Sequence, residues 1–253
     1  MRAYELIKET FLRRAYVWVI HLVWLALYLF YWWLFLPNAD TLGGFVFTWG
    51  GFLLPLALSA GIFGDDIASG RICVLITKPF WWGRLYIFRL LGLSLQGAVH
   101  FLLCACLVLV LQLVTRKIYV SEVALWLLGS WLMFNTVAAL STTLSVVVGR
   151  AFNSLLILVV VIAGTLIINM LMFQMQGRSE PPAWYHLIRY ACPPFELLKK
   201  FAAGERGEFS LFFGRFSVAK NMAIAIHSLI LTMTYGLIGI LLLCRREFSR
   251  VRD

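Results

Sequence analysis

Long apolar runs dominate this sequence. Six of them lie at about residues 17–36, 44–63, 87–114, 122–147, 154–175 and 221–244. Each reaches roughly the 20 apolar residues that an α-helix needs to cross a bilayer. Hydrophobic residues make up 62% of the chain and charged residues 13%, whereas soluble domains carry about 25% charged residues. The sequence therefore predicts an all-α membrane protein with six transmembrane helices, organised as a single membrane domain over residues 1–253.

The N-terminal residues 1–16 predict a short helix that lies along the membrane surface. Tyr4, Ile7 and Phe11 follow helical spacing and share one face, while charged residues occupy the other faces. A helix of this kind settles in the interface with its apolar face toward the acyl chains. The long charged lead and the long first apolar run also argue against a cleavable signal peptide.

Lysine and arginine predict the orientation of the chain. Four lie in the N-terminal segment, four within residues 64–89 and four in the C-terminal tail, while 37–43 has none. Short cytoplasmic loops carry an excess of lysine and arginine, so both termini and the 64–89 loop are expected in the cytoplasm. The long loop 176–220, which this orientation puts outside, carries seven lysine and arginine residues and is the exception. The formal charge of +10 lies beside the apolar runs, which favours contact with membrane lipid headgroups over nucleic-acid binding.

The loop 176–220 is expected to be extracytoplasmic and helical. Pro181-Pro182 and Pro193-Pro194 stand where prolines open helices, and each pair is followed by an apolar stripe at helical spacing. Two short helices with one apolar face each indicate re-entrant or interfacial elements at the outer mouth of the bundle. The alternative is a surface loop whose stripes are accidental.

Polar side chains recur at helical spacing inside three of the apolar runs. They are Gln96 and His100 in the third run, Asn135, Thr142 and Ser145 in the fourth, and Asn221, Ser228 and Thr232 in the sixth. Polar residues within a membrane span usually face a partner helix or a cavity. Two interpretations stay open for these residues: close helix packing, or the lining of a weakly polar translocation path.

Several kinds of chemistry lack the residues that they need. The chain has no GxxxxGK[ST] phosphate-binding loop, and the adjacent acids Asp65 and Asp66 have no third ligand for a metal site. The five cysteines show neither CxxC pairs nor metal-type spacing, so no disulfide framework is expected. The predicted spans place only His100 and His227 deep in the bilayer, and a haem held by this pair is an alternative to histidines that pack helices.

A polar segment, GDDIASGRICVLITKPFWWGR at residues 64–84, interrupts the apolar sequence. It predicts one short cytoplasmic helix over residues 65–78, with Asp65 or Asp66 capping its N-terminus and Pro79 ending it. The aromatic residues that follow suit the membrane interface. The apolar part of this helix needs a cover, and either a soluble partner or the headgroup layer can supply it.

This segment resembles the first cytoplasmic loop of ABC type-2 permeases, the membrane subunits of a large class of ABC exporters. The pattern of that loop is an acid, three residues, Gly-Thr, then Glu, two leucines and a proline. Asp66, Gly70, Leu75 and Pro79 stand at the matching positions, with Ile76 for the second leucine. Arg71 stands in place of the usual threonine and Cys73 in place of the usual glutamate. The layout of the whole chain is also similar to that family, including the N-terminal interfacial helix and the outer segment between spans five and six.

The resemblance implies a transport subunit and no enzyme activity on this chain. In the family, the loop carries a coupling helix that seats in a groove of a separate ATPase subunit, which binds ATP and Mg²⁺. Two permeases, identical or closely related, assemble with two ATPases in the bacterial cytoplasmic membrane, and no cofactor is expected on the permease itself. The residues that the resemblance implies in ATPase coupling are Asp65, Asp66, Ile67, Gly70, Arg71, Leu75, Lys78 and Pro79.

A second hypothesis is a membrane subunit that transports nothing and instead anchors or assembles a complex, for example as a haem-bearing subunit. The sequence indicates no substrate, since apolar faces suit lipids and drugs while hydroxyl and amide faces suit small ions or peptides equally well.

Overall fold

The structure, a computed structural model, describes residues 3–12, 16–34, 39–76, 81–114, 120–174, 190–193, 195, 197–198, 208–211 and 216–245. Helices α1 to α5 cover Ala3–Leu12, Tyr16–Leu34, Ala39–Ser59, Gly64–Ala68 and Arg71–Ile76. Helices α6 to α8 cover Trp82–Val114, Val120–Leu144 and Arg150–Gln174. Strands β1 (Glu208–Leu211) and β2 (Phe216–Ala219) precede α9, which covers Lys220–Arg245.

The described residues are overwhelmingly helical, and four helical stretches are long and apolar enough to cross a membrane. They are Phe47–Ala68, Trp82–Val114, Val120–Leu144 and Lys220–Arg245. Two further apolar helical stretches, Trp18–Phe30 and Arg150–Ala163, are shorter. The prediction of a helical protein suited to a membrane is thereby confirmed, and in the described residues four of the six predicted spans have a helical stretch long and apolar enough to cross.

Helix α7 lies at the centre of the helical bundle, where it packs against α3, α6 and α9. Its side chains Met133, Phe134 and Val137 are fully buried, together with Phe101 of α6. Burial of large aliphatic and aromatic side chains on helices that are apolar on most faces is typical of a bundle whose outer surface meets lipid. Helices α2 and α8 pack at the periphery, α2 on α3 and α8 on α7 and α3.

The predicted single helix over residues 65–78 is wrong. The structure has two short helices, α4 and α5, separated by Ser69 and Gly70, and Gly70 has a φ of 66°. A residue in this left-handed conformation ends a helix, and glycine adopts it without steric cost. Lys78 and Pro79 lie outside the described residues.

A short β-hairpin lies at the end of the 176–220 segment. Strand β1 pairs antiparallel with β2, from Glu208 opposite Ala219 to Leu211 opposite Phe216. The prediction of helices alone in this segment did not include the hairpin, although phenylalanine and valine in these strands favour extended structure. Strand β2 runs directly into α9, and the part of the bundle near the start of α9 is called the hairpin end below. The opposite part, with α4, α5 and the start of α6, is called the α4–α5 end.

Candidate functional site

A fully buried arginine organises the α4–α5 end. Arg89 lies two turns into α6, and its side chain has 0% exposure. Its Nη2 donates to Asp66 Oδ2 on α4 at 3.0 Å, and its Nη1 donates to Thr10 Oγ1 on α1 at 3.0 Å. Nη1 also lies 3.3 Å from Glu9 Oε1. One guanidinium therefore binds two other elements that are far apart in sequence.

A second arginine extends this network to α5. Arg71 Nη2 donates to Glu9 Oε1 at 2.6 Å, and the Arg71 side chain is 41% exposed against 18% for Glu9. The five residues Glu9, Thr10, Asp66, Arg71 and Arg89 are called the Arg89 cluster below. Glu9 is shared by both arginines, so α1 is bound to α5 and α6 through a single carboxylate.

The energetics of the Arg89 cluster make the α4–α5 end stiff. Removing Arg89 and Asp66 from water costs several kcal/mol for each ion, and only close, well-directed contacts between them offset that cost. Breaking such a pair by removing one partner typically costs about 3–5 kcal/mol, because a buried charge is left without its counter-ion. Moving α4 away from α6 would therefore separate buried charges.

Helix α1 reaches α6 because one glycine allows a close approach. A Cβ atom at Gly92 would lie 2.6 Å from Thr10 Cβ and 3.0 Å from the Ile7 carbonyl oxygen. One turn further on, Gln96 Nε2 donates to the Phe11 carbonyl oxygen at 2.7 Å. This bond satisfies a carbonyl group at the C-terminus of α1, which has no partner within its own helix. Gln96, a candidate for a translocation path, thus packs α1 against α6.

The face by which α1 docks differs from the predicted apolar stripe. Leu6 is fully buried and Thr10 nearly so, whereas Tyr4 is exposed. Ile7 and Phe11 are half-buried. Glu9 and Thr10 contact the Arg89 guanidinium, so the face of α1 turned toward α6 includes polar side chains.

The predicted coupling residues divide into buried, half-buried and exposed groups. Asp66 and Leu75 are buried, and Asp65, Ile67 and Arg71 are half-buried. Gly70 is exposed together with its neighbours Ala68 and Ser69, and these three residues are called the tip below.

The tip owes its shape to the end of α4. The Ser69 hydroxyl donates to the Asp65 carbonyl oxygen at 2.6 Å, and the Gly70 amide donates to the Ile67 carbonyl oxygen at 3.1 Å. At the other end of α4 the N-cap residue is Phe63, which makes no side-chain capping bond. The prediction that Asp65 or Asp66 caps a helix is therefore wrong, since both lie in the first turn and Asp66 binds Arg89 instead.

A histidine pair joins α2 to α6 within the bundle. His21 Nδ1 and His100 Nδ1 are 2.8 Å apart, so one imidazole donates its hydrogen to the other. The second ring nitrogen of His100 lies 3.4 Å from Cys104 Sγ. The sequence interpretation singled out His100 and His227 and did not include His21, which is 4% exposed and contacts His100.

His227 has a different neighbourhood. Its Nε2 lies 3.0 Å from the carbonyl oxygen of Tyr190, to which it donates. His100 and His227 are therefore hydrogen-bonded to different parts of the chain. Among the described residues, no group of three or more His, Cys, Asp and Glu could hold a metal ion.

The polar face between α7 and α9 is used for helix packing. Thr136 Oγ1 lies 3.2 Å from both the Ser228 carbonyl oxygen and Thr232 Oγ1. Thr232 Oγ1 in turn donates to the Ser228 carbonyl oxygen at 2.7 Å. Ser228 itself is fully buried. These contacts favour the packing interpretation for Ser228 and Thr232.

A similar chain of bonds links α6, α7 and α9 nearer the α4–α5 end. The Tyr86 hydroxyl bonds the Ala139 carbonyl oxygen at 3.0 Å and Thr143 Oγ1 at 2.8 Å. Thr143 Oγ1 donates to the Tyr235 carbonyl oxygen at 2.7 Å. Sequence reasoning singled out neither Tyr86 nor Thr143, because an aromatic residue near a helix start and one threonine among several carry no distinct signal.

Two of the remaining polar candidates, Asn135 and Ser145, donate to carbonyl oxygens of α7, and Ser145 Oγ also accepts the Phe63 amide hydrogen at 3.4 Å. Asn135 Nδ2 donates to the Trp131 carbonyl oxygen of its own helix at 2.9 Å. Thr142 is fully buried, and Ser145 Oγ donates to its carbonyl oxygen at 2.7 Å. Asn221 is exposed at the start of α9, where its Oδ1 accepts the Met222 amide hydrogen at 2.9 Å.

A buried asparagine, overlooked in the sequence, holds α8 to the bundle. Asn153 Nδ2 donates to the carbonyl oxygens of Ala60 and Ser141, both at 2.8 Å. Its neighbour Ser154 donates from Oγ to the Leu56 carbonyl oxygen at 3.2 Å. The Leu56 and Ala60 carbonyl groups lie at the C-terminal end of α3, where the last carbonyl groups of a helix have no amide hydrogen of the same helix to accept. A lone asparagine at the start of an apolar run was the available signal.

Near the hairpin end, the described residues of 190–198 pack into the bundle. The centroid of the Phe195 ring lies 5.0 Å from that of Trp49 and 5.2 Å from that of Phe52, both of which belong to α3. The Tyr235 hydroxyl of α9 donates to the Ala191 carbonyl oxygen at 2.5 Å. Leu198 is 1% exposed. For these residues the packed arrangement holds and the surface-loop alternative does not.

No protein-family model matches the chain, and a search of curated proteins finds no significant match.

Proposed function

We propose that this chain is the permease subunit of an ABC exporter. In this proposal six helices span the membrane, with α2 and α8 added to the four long apolar stretches, and both termini lie in the cytoplasm of a bacterium. A separate ATPase subunit binds ATP and Mg²⁺ and seats against the α4–α5 end. Two copies of the chain, or this chain and a close relative, complete the transporter.

The observation that carries the proposal is the geometry of the tip and the Arg89 cluster. The tip exposes Ala68, Ser69 and Gly70 at the surface, while Asp66, two residues before the tip begins, is bound to Arg89 inside the bundle. A partner that pushes on the tip would therefore move Asp66, and separating Asp66 from Arg89 of α6 costs several kcal/mol. A segment that is exposed at one end and bound to two helices at the other is suited to transmit force.

The positions of the sequence motif support the same interpretation. Gly70 occupies the glycine position of the pattern and has the φ of 66° that ends α4. Asp66 occupies the acid position and is the partner of Arg89. Arg71, which stands where threonine is usual, binds Glu9 of α1. The arginine thus adds an ion pair between the coupling segment and the N-terminal helix.

The packing of the polar residues bears on where a substrate would move. Gln96, Ser228 and Thr232 bond neighbouring helices, so the interior of one chain is occupied. In the proposed transporter the path therefore lies along the seam between two permease copies. The peripheral helices α2 and α8, with exposed side chains such as Leu22 and Leu155, are available to form that seam.

The test uses the full chain co-expressed with the ATP-binding protein encoded beside its gene. Ala68→Arg places a long charged side chain at the exposed tip without touching the Arg89 cluster. We expect loss of co-purification, or at least a tenfold loss of transport-coupled ATP turnover, with an unchanged unfolding temperature of the isolated permease. Ala68→Ser, a small change at the same position, is the matched control and retains assembly.

A second comparison uses the backbone of the tip. Gly70→Asn introduces a residue that tolerates the left-handed conformation, whereas Gly70→Val introduces a β-branched residue that does not tolerate it. A Cβ at this position would meet no atom within 4 Å, so any difference comes from the backbone. Coupling is expected to survive in the asparagine variant and fail in the valine variant. If no ATP-binding protein ever co-purifies with the wild-type chain, the chain is a membrane anchor instead, and a Soret band would identify the haem-bearing form.

A further inference from the structure

One aromatic side chain near the start of α6 contacts the beginning of α4. Tyr86 is 1% exposed and lies three residues before Arg89 on α6. Its ring is stacked on the ring of Phe63, with the centroids 5.9 Å apart and an angle of 14° between the planes. Phe63 is the N-cap residue of α4 and is fully buried. The position of the Tyr86 ring therefore depends on where α4 begins.

The same ring lies against α9 at a glycine. A Cβ atom at Gly239 would overlap Tyr86 Cε2 and would lie 2.7 Å from both Tyr86 Cζ and Thr143 Oγ1. Gly239 is buried, and a well-packed interior has no free volume for an added methyl group. Helix α9 approaches α6 this closely because residue 239 has no side chain.

The hydroxyl group of Tyr86 adds a polar connection to α7 and, through it, to α9. It bonds the Ala139 carbonyl oxygen and Thr143 Oγ1, and Thr143 Oγ1 donates to the Tyr235 carbonyl oxygen of α9. Thr143 is 5% exposed, so water does not readily replace a partner that is lost here. A movement of Phe63 that displaces the Tyr86 ring would therefore change the contacts of α9 with α6 and α7.

From these contacts we infer that Tyr86 couples the position of α4 to the packing of α9. In this role Tyr86 is a positioning residue, which acts through Phe63 on one side and through Thr143 and Gly239 on the other. A ring that only fills the space between the helices predicts instead that changes at α4 and at α9 act separately. The inference concerns the chain by itself and does not depend on the proposed transport function. In the proposed transporter, it makes α9 the helix that responds when the ATPase moves the tip.

The first experiment measures amide hydrogen exchange by mass spectrometry on the full chain in detergent micelles. Phe63→Leu removes the ring that stacks on Tyr86. Exchange in the α9 stretch 235–243 is expected to rise about threefold or more, which corresponds to the loss of one side-chain hydrogen bond within a membrane. In a Tyr86→Leu background, Phe63→Leu should change the exchange of this stretch no further. Phe63→Met takes the place of Phe63→Leu if the leucine variant does not fold.

Phe52→Leu is the matched control for this change. Phe52 is 1% exposed, like Phe63 a buried phenylalanine, but its ring packs on Phe195 near the hairpin end. This variant should leave the exchange of residues 235–243 as it is in the wild type.

The second experiment makes the change on α9 and reads its effect on α4, because energetic coupling between two sites is reciprocal. Gly239→Ala inserts a methyl group against Tyr86 and should raise exchange in α4, where the Asp65 and Ile67 amides are hydrogen-bonded. Gly236→Ala is the matched control, since the nearest atom to its new methyl group, Tyr86 Cε1, is 3.8 Å away. It should leave the exchange of α4 unchanged.

Three results would overturn the inference. Each variant could change exchange in its own neighbourhood alone, which would make Tyr86 a packing residue. Phe63→Leu could still alter α9 in the Tyr86→Leu background, which would mean that other contacts carry the coupling. A uniform rise in exchange over all helices in both Phe63→Leu and Gly239→Ala would show a loss of global stability without specific coupling.

Discussion

Arg89 and Asp66 form an ion pair with an Nη2–Oδ2 distance of 3.0 Å, and neither side chain has any exposed surface. The pair joins the second turn of α6 to the short helix α4, across 23 residues of sequence. Glu9 and Thr10 of α1 also contact the guanidinium. Three elements at the α4–α5 end are consequently held in one arrangement by a single side chain.

Removing one member of this pair should be severe. Asp66→Ala removes the fully buried counter-ion of Arg89, while Glu9 at 3.3 Å is shared with Arg71, and we expect a loss of about 3 kcal/mol in the free energy of unfolding, the lower end of the range for a broken buried pair. Arg84→Ala on the exposed side of the same helix should change it by less than about 0.5 kcal/mol. Denaturant unfolding in detergent micelles measures both variants. The double variant Asp66→Leu/Arg89→Met should recover most of the stability, because an apolar pair replaces the ions. Equal effects for Asp66→Ala and Arg84→Ala would contradict a stabilising role for the pair.

The close approach of α1 and α6 gives a test with a matched glycine. In Gly92→Ala the new methyl group would lie 2.6 Å from Thr10 Cβ, so α1 must move, at a cost of about 1–3 kcal/mol. In Gly236→Ala the nearest atom, Tyr86 Cε1, is 3.8 Å away, and the better helix propensity of alanine should leave stability unchanged or slightly higher. Limited proteolysis should cut α1 faster in Gly92→Ala alone. Identical digestion of the two variants would show that α1 tolerates the displacement.

The histidine pair predicts non-additive effects. His21→Leu and His100→Leu each leave a buried imidazole nitrogen without its partner across the 2.8 Å contact. We expect a coupling free energy of about 1 kcal/mol in the double-mutant cycle, since the double variant removes both polar groups together. Thermal unfolding of the wild type and the three variants gives this quantity. Strict additivity would mean that the two imidazoles do not stabilise each other.

The attachment of α8 depends on Asn153. Asn153→Leu removes the donor shared by the Ala60 and Ser141 carbonyl oxygens and should cost about 2–3 kcal/mol in unfolding free energy. Ser154→Ala removes a single 3.2 Å bond and should cost about 0.6 kcal/mol. Cysteine cross-linking between α8 and α3 should decrease in the first variant and persist in the second. If both variants keep full cross-linking, other contacts hold α8.

The sequence patterns predicted where most of the long helices lie better than they predicted how the helices contact one another. The predicted span 221–244 lies within α9, and the predicted span 122–147 overlaps α7 for most of its length, because continuous apolar runs of this length have few other structures in lipid. The predicted helix 65–78 failed at Gly70, where one residue in the left-handed conformation divides it. The hairpin Glu208–Leu211 with Phe216–Ala219 was missed because four-residue strands leave only a weak periodic signal.

The candidate site was only partly accessible from sequence. Asp66 and Gly70 stand out through their positions in a family-like pattern. Glu9, Thr10 and Arg89 do not, because the orientation of the chain already accounts for Arg89 as a positive charge near a membrane run. Their role depends on α1 folding back onto α6, and no local pattern in the sequence predicts a contact between Glu9 and Arg89, which are 80 positions apart.

By itself, the sequence determined that the chain is helical, apolar and suited to a membrane, since hydropathy over about 20 residues is a property of local composition. Tertiary structure decided which polar residues are bonded inside the bundle, where the exposed tip lies and which residue pairs with Arg89. These outcomes depend on the distance between side chains that are remote along the chain. The partner of a buried charge is selected by packing geometry, and packing geometry is not a local property of the sequence.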